Sequence, residues 1–291
     1  MARVAVVGVG AIGSVAASLL QLAGGHEVVL CARRPLHGLT VETPDGAIAV
    51  TARVLTDPAE AQPVDWVLVA TKAYDVAGAA QWLSRLCAKG TAVAVLQNGV
   101  EHRERFAPYV SEASILPVIV DCPVERRSAE DVLQRGPMSL KVPGGAQGAA
   151  FVELFAGSKA QAEVVEDFVT VAWRKLCHNS AGALSALTLR PNEVLRDEAM
   201  GEVARDMVRE CVAVGRAEGA ELSDDVADLV VAAYRAAAPD GVNSLLADRL
   251  AGRPMEVGAR NGAIVRIGRR HGIETPSNLM AVALLEAMKK G

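Results

Sequence analysis

Residues 3–13 read Arg3-Val4-Ala5-Val6-Val7-Gly8-Val9-Gly10-Ala11-Ile12-Gly13, and this stretch decides the fold. A short apolar run rich in valine runs into three glycines spaced GxGxxG, and helical spacing follows to about Ala23. Strand, glycine turn and helix in that order make a cradle for a dinucleotide. Gly8 permits the tight turn, Gly10 lets a pyrophosphate approach the backbone, and Gly13 lets helix and strand pack closely. The helix opening near Ala11 and Ile12 turns its free amides and the positive end of its dipole toward the phosphates. No charged residue occurs from Val4 to Gly25, as in a signal peptide or membrane span, but the glycines place this segment in a soluble fold.

Working outward, His26-Glu27-Val28-Val29-Leu30-Cys31 reads as the second strand, and its end distinguishes between dinucleotides. An acidic residue there would bind the 2′-hydroxyl of NAD. Cys31-Ala32-Arg33-Arg34 instead offers two guanidinium groups, which match a 2′-phosphate in charge and geometry. The expected cofactor is NADPH, with either Arg33 or Arg34 as the main contact.

Leu39 to Val50 alternates around Pro44-Asp45-Gly46 as a hairpin with an Asp-Gly turn. Asp65 to Ala70 and Thr91 to Leu96 are continuous apolar runs, which suit parallel strands covered on both faces. After about Glu163 only helical periodicity remains, broken at Pro191, Pro239-Asp240-Gly241, Gly252-Arg253-Pro254 and Gly272. Thr275-Pro276 reads as the cap and first turn of the last helix. The expected architecture is α/β: a doubly wound nucleotide-binding sheet over residues 1–165, then an all-helical domain over 166–291.

The 291 residues are 51% hydrophobic but only 3% aromatic, so the core is built from Ala, Val and Leu. A net charge of −4 argues against a nucleic-acid binder or a polybasic membrane anchor. Five scattered cysteines without a CxxC pair favour free thiols in a reducing compartment, with no metal site. The reading is a cytoplasmic protein.

Two loops follow strand ends at the carboxyl edge of the sheet, where ligands of such folds bind: Thr71-Lys72-Ala73-Tyr74 and Gln97-Asn98-Gly99. In the helical half, Trp173-Arg174-Lys175-Leu176-Cys177-His178-Asn179 brings Lys175 and Asn179 onto one helix face. Spacing alone fits either a solvated face or a catalytic lysine beside an amide.

Taken with NSLLADRLAGRPMEVGARNG and HGIETPSN, these motifs resemble the ketopantoate reductase family over the whole chain and in order. The resemblance implies a Rossmann domain, a helical domain and NADPH-dependent reduction of the ketone of ketopantoate to pantoate. By position it implies Lys175 as general acid and Asn98, Asn179 and Ser244 as substrate-binding residues. Gly8, Gly10, Ala11, Ile12, Gly13, Arg33, Arg34, Lys72, Asn98 and Glu256 would serve the cofactor. An ammonium there would stabilise charge on the ketone oxygen and deliver its proton. Ala183 stands where the family usually has a second asparagine. Two alternatives stay open: a reductase of another 2-oxo acid or ketone on this scaffold, and a non-catalytic NADPH-binding sensor. The expected partner is a small 2-oxo acid, without nucleic acid or membrane, and a homodimer is a conceivable assembly.

Overall fold

The computed structural model describes residues 1–288. The chain divides into two compact units, Met1–Phe168 and Val169–Gly291. The first is α/β and the second is helical.

In the first unit, β1 (Arg3–Val7), α1 (Ala11–Ala23), β2 (Glu27–Cys31), β3 (Leu39–Thr43), β4 (Gly46–Val50), β5 (Arg53–Leu55) and β6 (Trp66–Val69) run in sequence. They are followed by α2 (Val76–Leu86), β7 (Ala92–Val95), α3 (His102–Phe106) and β8 (Ile115–Pro117). Six strands form a parallel sheet in the order β5-β2-β1-β6-β7-β8. The chain winds outward from β1 to β5, then returns to the other side of β1. The order therefore reverses between β1 and β6, where a doubly wound sheet opens its ligand crevice.

Alternation along β1 shows why its apolar run is continuous. Val4 and Val6 join the core formed with α1, whereas Ala5 and Val7 join the opposite core with Trp82 and Leu83 of α2. Both faces are covered, so neither can be polar.

The hairpin forms with a shifted turn. Thr43 pairs with Gly46, so Pro44 and Asp45 are the loop residues and Gly46 is already on β4 at φ +125°. Proline presets the turn, and glycine accepts the positive φ that follows it.

The sequence reading missed β9 (Ile119–Asp121), β10 (Val124–Arg126), β11 (Asp131–Gln134), β12 (Ser139–Pro143) and β13 (Gln161–Val165). Most are short and mixed in polarity. They gain strand form by pairing in a β10-β11-β3-β4 sheet and a β13-β12-β9 sheet. α1 packs on the first of these as well as on the main sheet. α4 (Ala146–Leu154) contributes Phe151 to the α1-side core, tilted against Trp66 with ring centroids 5.7 Å apart.

The second unit comprises α5 (Phe168–Ala181), α6 (Ala183–Thr188), α7 (Glu198–Ala217), α8 (Val226–Ala236), α9 (Ser244–Leu250), α10 (Asn261–Arg270) and α11 (Pro276–Ala287). Its breaks fall at the proline and glycine positions expected, with Gly252 at φ 63° and Gly272 at φ 67°. Trp173 of α5 packs against α7 at Gly215, where a Cβ would stand 3.0 Å from the indole ring. α11 is capped differently from expectation. The Thr275 side chain makes no cap bond; the Glu210 carboxylate of α7 accepts from the Ser277 and Asn278 amides at 2.7 and 2.9 Å. A charged acceptor at a helix start also favours the dipole.

No helix among the described residues is long and apolar enough to cross a membrane. The five cysteines are free, and among the described residues no cluster of three or more His, Cys, Asp or Glu could hold a metal.

Candidate active site

The glycine turn sits at the sheet reversal. Gly8 adopts φ +97°, and a Cβ there would come within 2.6 Å of the Thr71 amide nitrogen. Its own N–H donates to the Cys31 carbonyl at 3.1 Å, tying the turn to the end of β2. A Cβ on Gly13 would collide with the Gly8 carbonyl, so helix and turn close only with glycine there. Gly10 is different: a Cβ there would meet nothing within 4 Å. Gly10 also caps α1 without a side-chain bond, and the first turn carries no acidic residue. The amides of Ala11 and Ile12 thus stand at an uncapped, anion-accepting helix start, which fits a dinucleotide phosphate.

Arg33 and Arg34 are both exposed just past β2. Arg33 Nη1 lies 3.8 Å from the Asp75 carboxylate, with 88% of its side chain accessible. A pair that long and that solvated holds the guanidinium weakly.

The Lys72 and Asn98 loops are tied into one structure. Gln97 Nε2 donates to Thr71 Oγ1 at 3.0 Å. Arg105 of α3 donates through Nη1 to Gln97 Oε1 at 2.7 Å and through Nη2 to the Asn98 carbonyl at 2.9 Å. Its Nε donates to the Glu101 carbonyl. His102, 2% exposed, donates from Nε2 to the Gln97 carbonyl at 2.7 Å. Burial, with Arg105 adding to it, pushes the His102 pKa down to about 4, so the ring is neutral and serves as a fixed donor. Sequence reasoning missed Arg105 and His102, whose polarity reads as an ordinary exposed helix.

In the helical unit, Lys175 and Asn179 lie one turn apart in the middle and end of α5, not at its start. Lys175 is half-buried and Asn179 buried, which rules against the solvated-face reading. The Asn179 side-chain amide makes no hydrogen bond among the described residues. Burial, reinforced by the Arg260 charge, holds the Lys175 ammonium down to about 8. An ammonium poised there is a better proton donor than an ordinary lysine.

Arg260 is the residue that sequence reasoning overlooked, although it lies inside a motif already noted. It is 2% exposed, next to buried Glu256, and the Tyr234, Glu256 and Asp248 groups favour its charge against the cost of burial. The structure thus gathers Lys175 and Glu256 around a guanidinium. Ser244 is exposed at the first position of α9, and its neighbour Asn243 does the local work. Asn243 Oδ1 accepts from the Leu245 and Leu246 amides at 3.0 and 3.1 Å, while Nδ2 donates to the Gly182 carbonyl at 3.1 Å.

Two further motif asparagines hold helices together. Asn261 Nδ2 donates to the Ser180 carbonyl and to Asn278 Oδ1, and Asn278 Nδ2 donates to the Met207 carbonyl. Ala183 is wholly buried at the first turn of α6.

Residues 4–147 match the family model described as ketopantoate reductase PanE/ApbA, and residues 167–289 match its C-terminal counterpart. A 2-dehydropantoate 2-reductase of Caulobacter vibrioides is 52% identical over 99% of both chains. One from Mycobacterium tuberculosis is 42% identical over 99% of this chain and 98% of the relative. Among solved structures, a PanE/ApbA family ketopantoate reductase from Ralstonia eutropha superposes with a TM-score of 0.90 at 33% identity, covering 99% and 98% of the two chains. Sequence, domain order and backbone agree end to end, and the chain belongs to the ketopantoate reductase family.

Proposed function

We propose that this protein is an oxidoreductase that reduces the ketone of 2-dehydropantoate (ketopantoate) to the hydroxyl of pantoate, using NADPH. The observation that carries the reading is the 52% identity, over 99% of both chains, to a protein named for that reaction. The family and the Rossmann-type sheet imply a nicotinamide cofactor. NADPH in particular is supported by Arg33 and Arg34 standing exposed where an NAD site would place a carboxylate.

The division of labour follows the two domains. Residues 1–165 hold the dinucleotide: Gly8, Gly10, Ala11, Ile12 and Gly13 at the pyrophosphate, Arg33 with Arg34 at the 2′-phosphate, and Lys72 and Asn98 at the carboxyl edge. Residues 166–291 carry Lys175, Asn179, Ser244 and Glu256. When bound, the reduced nicotinamide supplies hydride to the ketone carbon. Lys175 stabilises the negative charge that develops on the ketone oxygen and gives it a proton, leaving the hydroxyl of the product. Asn98, Asn179 and Ser244 bind the substrate's polar groups, and Glu256 orders the cationic site. The reading places the enzyme in the cytoplasm with a small 2-oxo acid as its partner.

The test is NADPH oxidation across a panel of 2-oxo acids. Ketopantoate should give the highest kcat/KM. A clearly better substrate elsewhere in the panel would transfer the assignment to that acid, and no turnover of any would leave a cofactor-binding protein without this activity.

A further inference from the structure

A buried cation is ordinarily matched by partners at each of its donors, because an unpaired charge in a low dielectric is costly. Arg260 departs from that rule. It is 2% exposed, yet neither Nε nor Nη1 has a hydrogen-bond partner among the described residues. The Glu256 and Asp248 carboxylates favour its charge through space, without a hydrogen bond to Nε or Nη1. Asp248 is held by Arg253 Nε at 2.9 Å, and Lys175 is a second cation close enough to feel the Arg260 charge.

Gly182 lets the helix backbone pack closely on the guanidinium. At the α5–α6 junction, a Cβ on Gly182 would stand 3.3 Å from Arg260 Nη2, 2.9 Å from Tyr234 Oη and 3.2 Å from Asn243 Nδ2. Asn243 and Tyr234 are each fixed, through the Gly182 carbonyl at 3.1 Å and the His178 carbonyl at 3.1 Å. Arg260 is therefore a rigidly walled guanidinium, with unused donors, beside the proposed acid.

We propose that Arg260 is a specificity-determining residue that binds the substrate's carboxylate, while Lys175 serves the adjacent ketone oxygen. This rests on the 2-oxo acid reading above and names what selects for the acid. In a 2-oxo acid the carboxylate and the ketone are on neighbouring carbons, so their two cations must themselves be neighbours. A planar guanidinium matches a carboxylate in shape as well as charge. The anion also relieves the repulsion between the two cations, so a neutral ketone gains less from the same site. Asn98, Asn179 and Ser244 alone would offer no such preference.

The experiment compares the unmodified protein with Arg260→Gln and Arg260→Lys on ketopantoate and on its lactone, which carries the same ketone with the carboxylate closed into an ester. The unmodified protein should favour the acid, and Arg260→Gln should reduce the acid-to-lactone ratio of kcat/KM by about 100-fold, chiefly through KM, within the range of charge-assisted pairs. Arg260→Lys should fall between them. The alkaline limb of the pH–kcat/KM profile should also move upward in Arg260→Gln, because Lys175 loses a neighbouring cation. A purely structural arginine would lower acid and lactone alike and leave the ratio unchanged, which would overturn the proposal. Binding of oxamate, read by calorimetry, separates this from the reduction reading. Oxamate bound by the unmodified protein and lost in Arg260→Gln supports the anchor even if no 2-oxo acid is turned over; equal binding in both sinks it. Where Arg260→Gln melts too low to assay, Arg260→Lys decides the same two comparisons.

Discussion

Arg105 Nη2 donates to the Asn98 carbonyl at 2.9 Å, so the loop proposed to meet the ligand is held by a side chain seven residues further on. The same guanidinium takes the Gln97 side-chain oxygen at 2.7 Å, and Gln97 in turn reaches Thr71. Removing Arg105 leaves two carbonyl-type oxygens in a part-buried loop without their charged donor. Arg105→Ala should cost about 1–3 kcal/mol of stability and lower kcat/KM about tenfold or more by releasing Asn98. Thermal unfolding and steady-state kinetics check the two effects. Unchanged kcat/KM would show that the loop keeps its geometry unaided.

Lys175 is expected to act in its protonated form. Its pKa near 8 in the free protein means that kcat/KM should hold below that pH and fall as pH rises through about 8. Lys175→Ala should lower kcat by about 10² or more, while NADPH binding, followed by fluorescence titration, persists. Near-full turnover in that variant would remove Lys175 from the chemistry.

For the cofactor, the free protein should bind NADPH more tightly than NADH by about 1–3 kcal/mol, the size of charge-assisted contacts. Arg33→Ala should erase most of that difference, because Asp75 at 3.8 Å restrains Arg33 only weakly. Calorimetry with both dinucleotides decides it; equal affinities in the unmodified protein count against a 2′-phosphate site.

His102 gives the fold an acid limit. Its pKa lies near 4 when folded against 6.5 for the ordinary ring, so the folded state holds it neutral. The group's contribution is fully present above about pH 6.5. It is lost as pH falls toward 4, where the unfolded chain takes up a proton that the folded one refuses. Stability measured by urea unfolding should drop across that window, and His102→Asn should flatten this part of the profile. An identical pH dependence in the variant would assign the loss to other groups.

The sequence by itself determined the glycine cradle, the second-strand arginines, the alternation of strands and helices, and the breaks between the later helices. Each is written in neighbouring residues, where sterics and hydrophobic spacing act locally. Only the tertiary structure decided which polar residues matter beyond those motifs. Arg105 and Arg260 look like surface arginines in the chain, and Glu210 like an ordinary charge on α7 until its carboxylate caps α11. The short strands from Ile119 to Val165 likewise exist because partners distant in sequence complete their hydrogen bonds. Spacing along a chain encodes the period of an element, but burial and charge depend on what folds against it. The Lys175 pKa is the clearest case: residue type and spacing nominate the lysine, and burial with Arg260, 85 residues further along, gives it an acid's pKa.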